Sequence, residues 1–329
     1  MSCVTCKAIV LHEYGGPEVL KYEDVEVNDP GAGEIRIRHT AIGLNFIDVY
    51  MRTGLYPLAA LPGSIGMEGA GVIEAIGENV SDYKVGDRVA YASPPPGSYA
   101  QLRNIGADRV VKIPDAIDDK TAAAMMLQGM TAQYLLRQTY RVEKGDTILM
   151  HAAAGGVGLI VCQWAKHLGA TVIGTVGSTE KAELAKAHGC DQTILYRDVN
   201  FKDKIMDLTD GVGVNVVYDS IGKDTFMDSL GSLKVRGTMV TYGNASGPVA
   251  PFEPGILGKM GSLYVTRPTL FNYAHDKSSI TAMATELMEL VANRTIKIEI
   301  HQEYDLADVG QAHQDLENRK TTGSTILIP

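Results

Sequence analysis

The sequence predicts an α/β chain made of a β-rich domain and a doubly wound parallel sheet, and three observations carry that prediction. The first hundred residues alternate apolar and polar positions between glycine turns, the period of strands with one buried face. From Lys120 onward short apolar runs alternate with helical segments, the pattern of parallel strands covered on both faces. Asp146 to Gly169, DTILMHAAAGGVGLIVCQWAKHLG, reads as strand, tight turn and helix. With 329 residues, 45% of them apolar, the chain is long enough for two cores.

Each element follows from its residues. In Glu34 to Ala41, Ile35, Ile37 and Ala41 alternate with Arg36, Arg38 and Thr40, which predicts a strand. Val72 to Ile76 and Arg88 to Ala92 read likewise, separated by the turn Val85, Gly86, Asp87. The stretch TAAAMMLQGMTAQYLL is rich in helix formers, and Gly129 within it marks a break or a close approach. Strands are expected at Thr147 to Met150, Thr171 to Val176, Gln192 to Leu195, Asn215 to Asp219, Gly237 to Tyr242 and Ser262 to Val265. After Arg267 a helix is expected at Ile280 to Ala292, a strand near Ile296 to Ile300, a helix at Leu306 to Asn318 and a strand at Ser324 to Ile328. That remainder is too short for a domain of its own and is expected to pack on the first one.

The turn after Met150 carries the chemistry. Ala153, Gly155 and Gly158 hold the three small positions of a G-x-G-x-x-G pattern, with Gly156 and Val157 between them. Such a turn lets backbone approach a pyrophosphate, which the free N–H groups and positive dipole end of the following helix favour. The bland alternative is a glycine-rich turn that packs a helix on a strand; the second strand at Thr171 to Val176 supplies the context of a dinucleotide site. Where a site for NAD places a carboxylate, this chain has Gly177, Ser178 and Thr179, then Glu180 and Lys181. Hydroxyls and a lysine suit a 2′-phosphate, so NADPH is preferred over NADH. The alternative for Lys181 is an ordinary exposed lysine of the next helix.

A net charge of −9 and a pI near 5.4 argue against general binding to nucleic acid or anionic membranes. No apolar run has the length of a membrane span and the first residues do not read as a secretory leader, so the cytoplasm is the expected location. Of four cysteines, Cys3 and Cys6 form a C-x-x-C without the two further ligands that zinc needs. They read as two free thiols on a frayed N-terminus.

Three strings, LNFIDVYMRTGLYP at Leu44 to Pro57, HAAAGGVGLI at His151 to Ile160 and GSLYVTRPTL at Gly261 to Leu270, resemble the zinc-free quinone oxidoreductases. These are the NADPH:quinone reductase and zeta-crystallin-like branch of the medium-chain dehydrogenase/reductase superfamily. The resemblance runs from Lys7 to Pro329. It implies a GroES-like catalytic domain, residues 1–126 and 268–329, interrupted by a Rossmann NADPH-binding domain, residues 127–267. Where the superfamily's alcohol dehydrogenases carry Gly-His-Glu this chain has Gly66, Met67 and Glu68, and Asn45 stands at their first zinc cysteine. Their structural-zinc loop is missing too, so no metal is expected.

The resemblance also assigns residues. Asn45, Tyr50 and Tyr56 are candidates to meet the acceptor: Asn45 as an amide donor to the developing oxyanion, Tyr50 as a phenol, and the two tyrosines as a stacking wall for a flat ring. Asn45 is equally open as a helix cap, and Tyr50 as packing. Gln128, at a position where close bacterial relatives carry lysine, and Thr131 are expected to face the nicotinamide; Thr131 is also open as a helical threonine bonding its own backbone. Gly177, Ser178, Lys181, Tyr196 and Arg319 are implied around the 2′-phosphate and adenine. Tyr242, Gly243, Asn244 and the stretch from Val265 to Arg267 are implied at the nicotinamide side. The superfamily's last Rossmann strand pairs with its symmetry mate, so a homodimer is expected through the edge strand near Ser262 to Val265. The implied reaction is NADPH-dependent, zinc-independent reduction of a quinone. Reduction of α,β-unsaturated carbonyls stays open, as does NADPH-sensitive single-stranded RNA binding or a crystallin-like role, against which the acidic balance stands.

Overall fold

The computed structural model describes residues 3–329. β1 (Cys3–Leu11) pairs antiparallel with β2 (Leu20–Asn28), Cys3 opposite Asn28. The N-terminus is therefore not frayed at the cysteines. Cys3 is exposed on a paired strand, and Cys6 is buried with its Sγ 3.8 Å from the Leu102 carbonyl.

β3 (Glu34–Leu44), α1 (Phe46–Arg52), β4 (Glu68–Ile76), β5 (Arg88–Ala92), β6 (Leu102–Gly106) and β7 (Val111–Lys112) follow. The alternation in β3 puts Ile35 and Ile37 in a core with Ile73, Val89, Tyr91 and Ile105. β3 runs past the predicted end because Ala41 to Leu44 is buried throughout and so loses its period. α2 (Asp119–Tyr134) is continuous through Gly129. A Cβ at Gly129 would lie 2.5 Å from a Leu287 methyl, so this glycine serves a close approach, not a break.

Next come β8 (Thr147–Met150), α3 (Gly156–His167), β9 (Thr171–Val176), α4 (Thr179–Ala187), β10 (Gln192–Leu195), α5 (Phe201–Leu208), β11 (Val214–Asp219), α6 (Phe226–Gly231), β12 (Leu233–Thr241), α7 (Gly255–Lys259), β13 (Tyr264–Thr266) and α8 (Leu270–Tyr273). The six strands form one parallel sheet in the order β10-β9-β8-β11-β12-β13. Numbered within the sheet, that is 3-2-1-4-5-6, the doubly wound order whose direction reverses between the first and fourth strands. The edge strand begins two residues later than predicted. Ser262 sits at φ 56°, with its N–H turned to the Gly258 carbonyl, and a left-handed residue does not open an extended strand.

α9 (Lys277–Ala292), β14 (Ile300–Asp305), α10 (Val309–Glu317) and β15 (Ser324–Ile328) complete the chain. The strand expected near Ile296 to Ile300 is instead β14. Ile296 is an isolated core residue, whereas the polar HQEYD of β14 alternates half-buried and exposed positions at the sheet's edge. The second large sheet runs β14-β15-β3-β4-β5-β7, and β6 also pairs with β3. β15 takes the end of β3 at Ile42 to Leu44, and β6 takes its start at Glu34 to Arg38.

The chain divides into two compact units. One holds the chain up to Met130 together with Tyr273–Asn293 and Ile298–Pro329; the other holds Thr131–Asn272 and Arg294–Lys297. No helix among the described residues is long and apolar enough to cross a membrane.

Candidate active site

In the β-rich unit, β3 passes directly into α1, and Asn45 at the junction is the helix's N-cap in extended conformation. Its N–H donates to Asp48 Oδ2 at 2.9 Å. Its side chain joins a buried polar chain: Asn45 Nδ2 donates to Glu68 Oε2 at 2.6 Å, and Asn45 Oδ1 accepts from Gln128 Nε2 at 3.1 Å. Gln128 Oε1 accepts from Ser324 Oγ at 2.8 Å, and the other Glu68 oxygen accepts from the Leu127 N–H at 2.7 Å. One residue each from α1's cap, β4, α2 and β15 thus meets in the interior, all under 8% exposed. Gly43 makes the space, since a Cβ there would fall 2.1 Å from Glu68 Oε2. Asn45 is both cap and member of this cluster.

Burial sets the acidity of the carboxyls. Desolvation pushes Glu68 up to about 8 against the pull of the Asn45 and Leu127 donors, and the nearby Asp48 adds to the rise. Asp48, fully buried, is pushed up to about 7 against the Asn45 N–H and the Tyr99 hydroxyl. A second chain starts at Asp48. The Tyr99 hydroxyl donates to Asp48 Oδ2 at 3.0 Å and lies 3.1 Å from His313 Nε2. Arg52 Nη1 is 3.1 Å from His313 Nδ1, and its guanidinium forks onto Glu317 at 2.9 Å twice. Because arginine only donates, Nδ1 is the acceptor and the proton of His313 sits on Nε2, pointing to Tyr99. Burial and the Arg52 charge hold His313 down to about 3.

Tyr50 is buried and Tyr56 half-buried, with ring centroids 5.2 Å apart at 69°. They make a corner, with one ring's edge on the other's face, rather than the continuous wall pictured from sequence.

In the parallel-sheet unit, the turn from β8 into α3 has Ala152 at φ 52° and Gly155 as N-cap. A Cβ on Gly158 would meet the Ala152 carbonyl oxygen at 2.3 Å and Ala153 backbone at 2.7 Å, so helix and turn touch backbone to backbone. Ala153 is buried and its N–H bonds the Thr175 carbonyl. Gly156 and Val157 open the first turn of α3 half-buried, where N–H groups have no acceptor within the helix. This cradle fits a pyrophosphate. Beneath it, His151 Nδ1 meets Thr175 Oγ1 at 2.8 Å and Nε2 meets Ser229 Oγ at 2.9 Å; Ser229 donates to Asp219, which also takes the N–H groups of Ile221 and Gly222. His151, Ser229 and Asp219 are buried and consumed by these bonds, which pin the ends of β8, β9 and β11.

A Cβ on Gly177 would be 3.0 Å from the Tyr196 hydroxyl, so Tyr196 lies over it. Ser178 caps α4 by accepting the Lys181 N–H at 3.4 Å. The Ser178 hydroxyl also holds the Glu180 carboxyl below its usual range. Tyr242 leaves β12 with its N–H on the Asp219 carbonyl. Gly243 presses on Ser220 backbone, 2.5 Å from a would-be Cβ, and the Asn244 carbonyl accepts from Gly247. These groups lie at the C-terminal ends of β8, β9, β10 and β12, where open α/β sheets bind ligands. Val265 packs onto the sheet's core, while Arg267 is exposed with Nη1 on the Pro268 carbonyl. Thr131, buried, belongs to this unit; Arg319, at φ 60° just past α10, belongs to the other.

Sequence reasoning missed Glu68 as a site residue, along with Asp48 and Ser324. Asp48 was legible, because Asn45-x-x-Asp48 has the spacing of a capping box. Ser324 has no local signal; a terminal strand brings it in. Zinc does not fit this chain. The Asn45 amide is neutral and bonded to Glu68 and Gln128, Met67 is a buried thioether, and among the described residues no group of three or more His, Cys, Asp or Glu could hold a metal.

Two family patterns match: the alcohol dehydrogenase GroES-like domain over residues 31–142 and the zinc-binding dehydrogenase domain over residues 156–289. The chain is 54% identical to a quinone oxidoreductase of Pseudomonas aeruginosa, covering 98% of this chain and 99% of that protein. It is 44% identical to a 2-haloacrylate reductase of a Burkholderia species, covering 98% of each. The crystal structure of Escherichia coli quinone oxidoreductase complexed with NADPH superposes with a TM-score of 0.97 at 46% identity, covering 99% of this chain and 100% of that one. With its parallel sheet in the 3-2-1-4-5-6 order and these full-length relatives, the chain belongs to the quinone oxidoreductase branch of the medium-chain dehydrogenase/reductase superfamily.

Proposed function

We propose that the chain is an NADPH-dependent, zinc-independent quinone reductase, and that the buried Asn45–Glu68–Gln128 cluster, standing where the resemblance puts the zinc of the superfamily's alcohol dehydrogenases, prepares an amide donor for the acceptor's oxygen. That cluster is the observation that carries the reading. NADPH supplies the reducing equivalents when bound. The first turn of α3, with Ala153 and Gly155 to Gly158, would hold its pyrophosphate, and Gly177, Ser178, Lys181, Tyr196 and Arg319 its adenosine phosphate. Tyr242, Gly243, Asn244, Val265, Arg267 and Thr131 would border the nicotinamide. In the other unit Asn45 donates a hydrogen bond to the oxygen on which charge develops, worth about 3 kcal/mol when well aimed in a dry site. Tyr50 and Tyr56 seat a flat ring in their corner. Labour is divided between a catalytic part, residues 1–126 and 268–329, and a cofactor part, residues 127–267, whose first residues, Leu127 and Gln128, join the Asn45–Glu68 cluster of the β-rich unit.

The test is oxidation of NADPH and, separately, NADH with an ortho-quinone, a para-quinone and 2-chloroacrylate, for wild type and Lys181→Ala. Turnover with quinone is expected, and the variant should lose about tenfold or more in NADPH affinity with NADH unchanged. The 44% identical 2-haloacrylate reductase favours a second reading, reduction of a conjugated alkene; turnover confined to the chloroacrylate would establish it.

A homodimer through β13 and a cytoplasmic location complete the proposal. β13 is one of the sheet's two outer strands, with Tyr264 56% exposed, and an apolar edge favours pairing with a second copy. Sedimentation at micromolar protein should give about twice 35.3 kDa; a monomer there would remove the dimer.

A further inference from the structure

The polar chain Glu68–Asn45–Gln128–Ser324 can be satisfied in two opposite directions on the same heavy-atom positions. In the direction described above, the Ser324 hydroxyl donates to Gln128, Gln128 to Asn45, and Asn45 to a Glu68 carboxylate. Both Glu68 oxygens then only accept, one from Asn45 and one from Leu127. A proton on Glu68 would have nowhere to go in that arrangement. Turning both side-chain amides by half a revolution gives it an acceptor. Glu68 Oε2–H donates to Asn45 Oδ1, Asn45 Nδ2 to Gln128 Oε1, and Gln128 Nε2 to Ser324 Oγ. The Ser324 hydroxyl has its own outlet, because the Ala124 carbonyl lies 3.0 Å away. Each link of the chain keeps a donor and an acceptor in either direction, and the Asp48 N–H, which gives up the Asn45 side-chain oxygen of the capping box on reversal, keeps the Asn45 carbonyl at 3.0 Å. The 2.6 Å separation of Glu68 and Asn45 is the length of an O–H···O bond and short for N–H···O.

We propose that Glu68 is a positioning residue for Asn45: gain or loss of its proton reverses this chain and exchanges the places of the Asn45 amide oxygen and nitrogen. The amide hydrogen that Asn45 does not spend within the chain moves with the nitrogen, from the Glu68 side to the Gln128 side. Its effect on turnover rests on Asn45 being the donor to the acceptor's oxygen; the reversal itself does not. The groups facing Glu68 are Asp48 on α1, Tyr91 on β5 and Tyr99 ahead of β6, beside the Asn45 and Leu127 donors. The two phenols are neutral in this range, since burial raises both above 10, and Asp48 disfavours ionisation of Glu68. Burial puts the exchange near pH 8.

Infrared spectroscopy of the ligand-free protein across pH reads the proton directly. A carboxylic-acid carbonyl band should fade through about pH 8 in wild type and be missing in Glu68→Gln, with Asp48→Asn identifying the band of the neighbouring carboxyl. Gln128→Lys tests the coupling, because an ammonium donates only and permits one direction. It should bring the Glu68 midpoint down by about one pH unit or more. No acid band at neutral pH, or a midpoint indifferent to Gln128→Lys, overturns the proposal, and neither result requires that Glu68→Gln fold. Quinone turnover should change with the same midpoint and lose that dependence in Glu68→Gln. A flat turnover profile beside an intact infrared titration and a lowered Gln128→Lys midpoint would sink Asn45's role as donor and leave the reversal standing.

Discussion

Gly158 and Gly155 look alike in the sequence and carry different constraints in the structure. A Cβ on Gly158 collides with backbone at 2.3 Å, whereas one on Gly155 meets a single oxygen at 3.3 Å. Gly158→Ala is therefore expected to lose about 1–3 kcal/mol of stability and much of its NADPH affinity, and Gly155→Ala far less of both. Urea unfolding and NADPH titration of the two variants check this; equal effects would refute it. At this scale the sequence was informative where function depends on a short local pattern. The turn from Ala153 to Gly158 was readable because its spacing is local, and the capping box because Asp48 stands three residues after Asn45. Ser324 was not, because its partner Gln128 is far away in the sequence. The bond that holds Glu180 on the Ser178 hydroxyl has no such local signal.

Among the elements, α1 is fastened at both ends. Its N-cap belongs to the Glu68 chain, and its last residue, Arg52, bonds His313 and Glu317 of α10, while Tyr99 links Asp48 back to His313. Tyr99→Phe removes one hydroxyl, leaving the buried His313 Nε2–H without an acceptor and Asp48 Oδ2 with only the Asn45 N–H. The expected cost is about 1–3 kcal/mol, read as a lower urea midpoint; an unchanged midpoint would show that the link contributes nothing. Most elements were legible from periodicity. Two misses have separate causes: β14 is a polar edge strand, and the start of β13 is set by a left-handed serine that no pattern announces.

Stability of the whole molecule should depend on pH in two opposed ways. His39 and His313 are held neutral by burial, each near 3 against 6.5 when free. Below 6.5 the unfolded chain takes up protons that the folded one refuses, so stability is lost as pH falls from 6.5 toward 3. Glu68 and Asp48 act in the other sense, near 8 and 7 when folded against 4.5 and 3.8 when free. Between those values the folded state holds more protons, so stability declines as pH rises from about 4 to 8. A tenfold difference in proton affinity between folded and unfolded states corresponds to about 1.4 kcal/mol. Thermal midpoints should therefore fall from about pH 6.5 to 8 in wild type and fall less in Glu68→Gln; parallel curves would exclude Glu68 as a source.

β15 lies between β14 and β3, and pairs Thr325 with Leu44 and Ile326 with Gly43. A strand made early in synthesis thus waits for roughly 280 further residues before its neighbour exists. Meanwhile the whole run of β8 to β13 leaves the ribosome and has its own partners at hand, so it is free to fold first. The β-rich unit, with β3 exposing an unfilled edge until then, is the vulnerable half of a nascent chain. A ribosome stalled short of Ser324 would present an assembled cofactor half and a sheet without the strand that joins β14 to β3, and the Glu68 chain without its last member.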